Sequence, residues 1–266
     1  MAKNKLRKVY VIGDAHGDYY SFSAVLISAG LMDPELNWCG GKATLVQIGD
    51  ILDRGDSPLE IDRLLDVLAL QAKRAGGRIV RLVGNHELEI LRKNYFITSL
   101  PYFQIEAFRK KLIRGILSGA WQVAYAARNY LFTHAGVCDG LYPVLKEEIG
   151  LKKPSLSKIA DHINDVFYDA VKNDSYNHEI FNVSRLRGGK DRYGGIFWED
   201  LSSLISEHSY MPYKQVVGHT RTGRIVRSED GKILAVDVGM EKVFAGKFEY
   251  LEFNAEGQPE AVGVEE

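Results

Sequence analysis

Five short polar blocks punctuate the chain, each directly after an apolar run of strand-like composition. They are Gly13-Asp14-Ala15-His16-Gly17, Gly49-Asp50-Ile51-Leu52-Asp53-Arg54-Gly55, Gly84-Asn85-His86-Glu87, Thr133-His134-Ala135-Gly136 and Gly218-His219-Thr220. One Gly-Asp or Gly-Asn step is an ordinary turn. Five in series, rich in Asp, Asn and His, make a mixed oxygen and nitrogen set suited to two hard or borderline divalent cations.

The intervening segments predict how the blocks are carried. Val9 to Ile12 reads as a short buried strand stopped by Gly13. Phe22, Val25, Leu26 and Ala29 then repeat at helical spacing before Gly30. A second strand spans Thr44 to Ile48. The helix after it opens with Ser57 and Glu60 at capping-box spacing and Pro58 at its first position, and closes at Gly76-Gly77. A third strand covers Arg78 to Val83. This β-α-β-α-β order predicts an α/β sheet with helical crossovers, in which ligands gather at the carboxyl ends of the strands. Further on, the pattern predicts helix over Glu87 to Gly119 with a break near Leu100-Pro101. Strands follow at Trp121 to Ala126, Asn129 to Phe132, Gln215 to Val217, Arg224 to Arg227, Ile233 to Val238 and Phe248 to Phe253. Residues 141–210 read as a helical cap or insertion, and 254–266 as a frayed, flexible acidic tail. A single domain over 1–266 accommodates all of it.

Composition excludes several classes. Lys plus Arg (34) balances Asp plus Glu (35), so no strong field draws the chain to nucleic acid or an anionic membrane. No apolar run approaches the length of a bilayer span or a signal-peptide core. Cys39 and Cys138 are far apart, which disfavours a disulfide framework or thiolate zinc site and agrees with a cytoplasmic setting.

The chemistry follows from residue type. Gly13 and Gly17 give the freedom for Asp14 and His16 to turn toward one cation. Asp50 can lend one oxygen to each of two metals. Asn85 offers a neutral carbonyl oxygen, and His134 and His219 offer imidazole nitrogens. Two cations about 3.5–4 Å apart could share a hydroxide and hold a phosphate group for in-line attack. Arg54 suits the planar clamp on phosphate oxygens. His86 suits proton donation to the leaving alkoxide, with Asp53 fixing its tautomer.

The order Gly-Asp-x-His-Gly, Gly-Asp-x-x-Asp-Arg-Gly, Gly-Asn-His-Glu, His-Ala-Gly and Gly-His resembles the PPP-type metallophosphatases of the calcineurin-like superfamily, over Val9 to about Gly239. The stretch from Leu36-Asn37-Trp38-Cys39-Gly40-Gly41 through Asp56 looks more like the Shewanella-like phosphatase branch. The resemblance implies a two-sheet α/β/β/α sandwich. It assigns Asp14, His16 and Asp50 to a first metal and Asp50, Asn85, His134 and His219 to a second, the metals being Mn, Fe or Zn. It makes Asp53 and His86 the acid pair and sets Arg54 on phosphate, beside Asn85. A second phosphate arginine often follows a Trp in this family. Here Trp198 precedes Glu199 and Asp200, so the role falls to Arg187, with Arg192 and Arg221 as alternatives.

The implied activity is that of a two-metal phosphomonoesterase, acting on phosphoproteins at Ser/Thr or Tyr. Dinucleoside polyphosphates or another small phosphate ester are the second substrate class, and an idle binding scaffold is the third function. Other polar residues carry no such expectation: His162, His178 and His208 read as surface or satisfied core side chains, and Cys138 as a buried inert thiol.

Overall fold

The structure, a computed structural model, describes residues 7–206, 210–242 and 248–264. Its first half alternates strand and helix as the periodicity predicts: β1 (Val9–Ile12), α1 (Tyr19–Ser28), β2 (Thr44–Gln47), α2 (Pro58–Arg74), β3 (Arg78–Leu82), α3 (Asn85–Leu91) and α4 (Tyr102–Leu117). The second half contains β4 (Trp121–Gln122), β5 (Ala124–Ala127), β6 (Tyr130–Thr133), α5 (Leu141–Ile149), α6 (Leu156–Asn173), α7 (Leu201–Ser206), β7 (Lys214–Val217), β8 (Val226–Arg227), β9 (Ile233–Ala235), β10 (Phe248–Phe253) and β11 (Pro259–Val264).

The strands form two sheets, one of six in the order β11-β10-β1-β2-β3-β4 and one of five in the order β5-β6-β7-β9-β8. β1 through β4 pair parallel, as crossover helices require. Side-chain alternation then builds two cores from the same strands. Val9, Val11, Val46, Val80, Leu82, Phe132, Val216, Leu234, Leu251 and Phe253 make one cluster drawn from both sheets. Their neighbours Tyr10, Ile12, Leu45, Leu131, Val217 and Ala235 belong to the larger cluster, with the helices. The sheets therefore pack face to face with helices outside, the α/β sandwich expected from the resemblance.

Four local expectations change. The single strand over Trp121 to Ala126 is two strands in different sheets: β4 pairs with β3 and β5 with β6. The chain crosses at Val123, where Asn164 Oδ1 accepts from the Val123 and Ala124 backbone N–H groups. The tail is ordered as β11, paired with β10 over six residues; Asn254 and Gly257 turn the chain. Only Val264 of its six residues is buried, with Val262 partly covered beside it, so the backbone ladder carries most of this edge strand. The helix from Glu87 ends at Leu91, and residues 92–101 are irregular apart from one 3₁₀ turn at Tyr95–Ile97. Ser57 stands at the N-cap of α2, but its side chain makes no capping hydrogen bond. Between β6 and β7 the described residues carry α5, α6 and α7.

Candidate metal centre

Each block occupies the turn after a strand: β1, β2 and β3 in one sheet, β6 and β7 in the other. Several non-glycine residues there have left-handed backbone, including His16 (φ 41°), Asp50 (53°), Asp53 (66°), Arg54 (66°) and His219 (66°). Such conformations cost of order 1–3 kcal/mol each and cluster where the fold must aim side chains inward. Gly84 is required for a different reason, since a Cβ there would overlap the Asp50 carboxylate.

Asp50 sits at the hub. Its Oδ2 lies 3.4 Å from His134 Nε2, 3.6 Å from His16 Nε2 and 3.9 Å from His86 Nε2. Asp14 Oδ2 is 3.9 Å from His16 Nε2. Asn85 Oδ1 is 2.9 Å from His134 Nε2 and 2.8 Å from His219 Nδ1. Two groups with metal-ligand spacing result, His16–Asp50–His86 and Asp50–His134–His219, sharing Asp50. The sequence-assigned residues thus converge, and His86 also approaches the first group.

The ring tautomers are set from outside. His16 Nδ1 donates to the Leu52 carbonyl (2.9 Å) and His134 Nδ1 to the Ile48 carbonyl (3.1 Å). Each Nε2 lone pair is thereby turned to the centre, the usual support of a metal-bound imidazole. Charge points the same way. Burial, with Asp237 and Asp50 nearby, raises the Asp14 pKa well above the carboxylate range. Asp237 is raised to about 6, mainly by burial. Burial lowers His16 to about 4 and pushes His219 well below its ordinary value. His219 Nε2 and Asp237 Oδ2 are buried without hydrogen-bond partners. Crowded carboxylates, the neutral imidazoles of His16 and His219 and orphaned buried polar atoms are a donor set that fits divalent cations.

Around this set lie residues with supporting contacts. His86 Nδ1 is 2.6 Å from Asp53 Oδ2. Burial works against protonating His86, but Asp50 and Asp53 outweigh it and raise the pKa to about 9. Asp53 is itself held: its Oδ1 accepts from Thr98 Oγ1 (2.7 Å) and the Ser99 N–H (2.8 Å). The buried Glu87 carboxylate accepts from the backbone N–H groups of Asp50, Ile51, Leu52 and Gly84, which pins the β2 turn. Glu87 could have been singled out from Gly-Asn-His-Glu, where it occupies the third position of α3. Thr98 and Ser99 carried no signal, because their contact with Asp53 spans 45 and 46 residues.

Of the arginines, Arg54 Nη1 lies 2.9 Å from Glu241 Oε1. Arg187 Nε is 3.0 Å from Asp200 Oδ2, and Arg187 Nη2 donates to Thr220 Oγ1, beside His219. Trp198 packs edge-on against the His219 ring at 5.5 Å. Away from the centre, His162 and His178 both bond Glu148 at 2.9 Å. His208 lies outside the described residues. Burial pushes the Cys138 thiol up to about 12, so it is inert at neutral pH.

Residues 7–220 match the family described as Calcineurin-like phosphoesterase. The chain belongs to that family. Its members depend on two metal ions, and this member holds candidate ligand groups for them. A 106-residue stretch is 40% identical to Shewanella-like protein phosphatase 2 of Arabidopsis thaliana, covering 39% of this chain and 27% of that one. Shewanella-like protein phosphatase 1 of Plasmodium berghei is 26% identical over 232 residues, 80% of this chain and 61% of that one. The chain thus spans less than two thirds of either relative. An uncharacterized protein of Schizosaccharomyces pombe is 27% identical over 265 residues, 90% of this chain and 75% of that one. In fold, this phosphoesterase is similar to the cold-active protein-tyrosine phosphatase of a psychrophilic Shewanella species, with TM-score 0.66 and 21% identity over 96% of this chain and 80% of that one. Among the described residues, no helix is long and apolar enough to cross a membrane.

Proposed function

We propose that this calcineurin-like phosphoesterase is a dinuclear phosphomonoesterase that acts on phosphoproteins, at phospho-Ser/Thr or phospho-Tyr. The observation that carries the proposal is the pair of ligand groups sharing Asp50, with the Asp53–His86 pair at the same edge. Asp14, His16 and Asp50 would hold one cation, and Asp50, Asn85, His134 and His219 the other; Mn, Fe and Zn suit that donor set. The cations, when bound, supply Lewis acidity toward the phosphate group and lower the pKa of the attacking water.

The chain's own residues do the rest. Arg54 and Asn85 orient the phosphate group, with Arg187 contributing positive charge from the His219 side. Asp53 holds Nδ1 of His86, so Nε2 faces the centre and can pass its proton to the leaving alkoxide or phenolate. Thr98 and Ser99 keep Asp53 acceptor-only and fixed in direction. The names of the Arabidopsis and Plasmodium relatives support a protein substrate. The free state of Cys39 and Cys138 agrees with a reducing, cytoplasmic compartment.

A metal-by-substrate matrix tests this: Mn, Fe and Zn against a phosphopeptide panel, diadenosine tetraphosphate and p-nitrophenyl phosphate. Phosphopeptides should give the highest kcat/KM with at least one metal. A strong preference for the dinucleotide would defeat the protein-phosphatase assignment.

A further inference from the structure

Arg54 and Arg221 converge on one carboxylate from opposite sheets, from the turns after β2 and β7. Arg54 Nη1 and Arg221 Nε each lie 2.9 Å from the same atom, Glu241 Oε1. The Glu241 side chain is 5% exposed, and its Oε2 is buried without a partner. Arg54 and Glu241 also line one groove of about 470 Å³, together with Gly17 of the first block and Asp18 at the start of α1. Two guanidiniums bracketing one anionic oxygen are the arrangement that binds a phosphate group. Here an internal carboxylate already takes it up. We propose that Glu241 and Arg221 form, with Arg54, a charge filter that favours dianionic phosphate monoesters over monoanionic diesters.

The argument is one of competition. Glu241 is tethered beside both arginines, so its effective concentration is high and an incoming anion must outdo it. A diester brings one negative charge and only matches the carboxylate it replaces. A monoester brings close to two at neutral pH and gains more from the same two cations. Displacement therefore selects for charge as well as shape. Gly239 (φ 69°) packs against the Arg221 side chain and brings the chain back toward the groove two residues before Glu241. The filter rests on the phosphomonoesterase assignment above, and inorganic phosphate affinity tests it separately from turnover.

The experiment compares wild type, Glu241→Gln, Arg221→Gln and the double variant as metal-loaded protein. Calorimetry reads the affinity for inorganic phosphate, and kinetics read kcat/KM for p-nitrophenyl phosphate against bis(p-nitrophenyl) phosphate. Glu241→Gln should bind phosphate about tenfold more tightly and raise the diester-to-monoester ratio by a similar factor, while Arg221→Gln weakens phosphate binding about tenfold. In the Arg221→Gln background, the Glu241→Gln gain should shrink. Unchanged or weaker phosphate binding by folded Glu241→Gln would overturn the filter. So would unchanged binding by Arg221→Gln, which is read even if the Glu241 variant fails to fold. Wild type that binds phosphate but turns over no monoester would instead defeat the activity on which the filter rests.

Discussion

Asp50 is where single side chains matter most, because it faces His16, His86 and His134 together. Asp50→Asn keeps the shape but removes the charge shared by both ligand groups, so phosphatase turnover should fall below detection while the circular dichroism spectrum persists. His86→Asn should keep the metals yet cut kcat by roughly 10²–10⁴, the usual worth of a positioned general acid. Thr98 gives a subtler test. Thr98→Val deletes one donor to Asp53, and a hydrogen bond to a charged group is worth about 1.5–3 kcal/mol. If Thr98 acts by positioning, kcat should fall about tenfold or more with KM little changed. Thr98→Ser should restore the rate, and a variant that moves KM alone would rule the role out. The contrast between these residues explains what the sequence disclosed. Asp14, His16, Asp50, Asn85, His86, His134 and His219 each sit in a short block whose glycines mark the turn. Thr98 and Ser99 act from a segment without such a mark, through contacts that only the folded chain creates.

The elements that were hard to read are those whose stability comes from backbone pairing or long-range contact. β11 has almost no buried side chains, so no hydrophobic alternation announces it. β4 and β5 form one apolar run in sequence, and only the crossing at Val123 divides them between sheets. Helix α2 was legible because its apolar stripe faces the core. The insertion is held partly by charge. Glu148 on α5 bonds His162 on α6 and His178 ahead of a 3₁₀ turn. Burial works to raise the Glu148 pKa, but the two histidines pull it below its ordinary 4.5. A carboxylate depressed in the folded state contributes stability above its unfolded pKa and loses it as pH falls through the folded pKa. Wild type should therefore melt above Glu148→Gln near pH 6, and the gap should close progressively below about pH 4.5. A gap that widens on acidification would contradict the sign.

At the scale of the whole molecule, the two sheets and the metal centre are one problem. The strands that deliver the ligands are those whose inner faces fill the inter-sheet core, so loosening that core should disturb the centre. Phe132 and Phe253 meet across the sheets at 5.9 Å, both fully buried. Phe132 lies two residues before His134, on β6. Phe132→Ala should cost about 3–5 kcal/mol of stability, the range for emptying a large buried aromatic site. It should also weaken metal binding, because the turn after β6 carries His134. Removing the metals works from the other side. The folded chain crowds Asp14, Asp50 and Asp237 together behind buried imidazoles, an arrangement that favours cations bound to the native state alone. Ligands of that kind stabilise by mass action, about 4 kcal/mol at a thousandfold excess over Kd. Chelation should lower Tm by several degrees, and re-addition of Mn or Zn should restore it in a concentration-dependent way. In Phe132→Ala the same titration should need more metal to reach half of its Tm gain. If chelation leaves Tm unchanged in both proteins, the crowded carboxylates are compensated within the protein, and the metal-centre assignment fails with them.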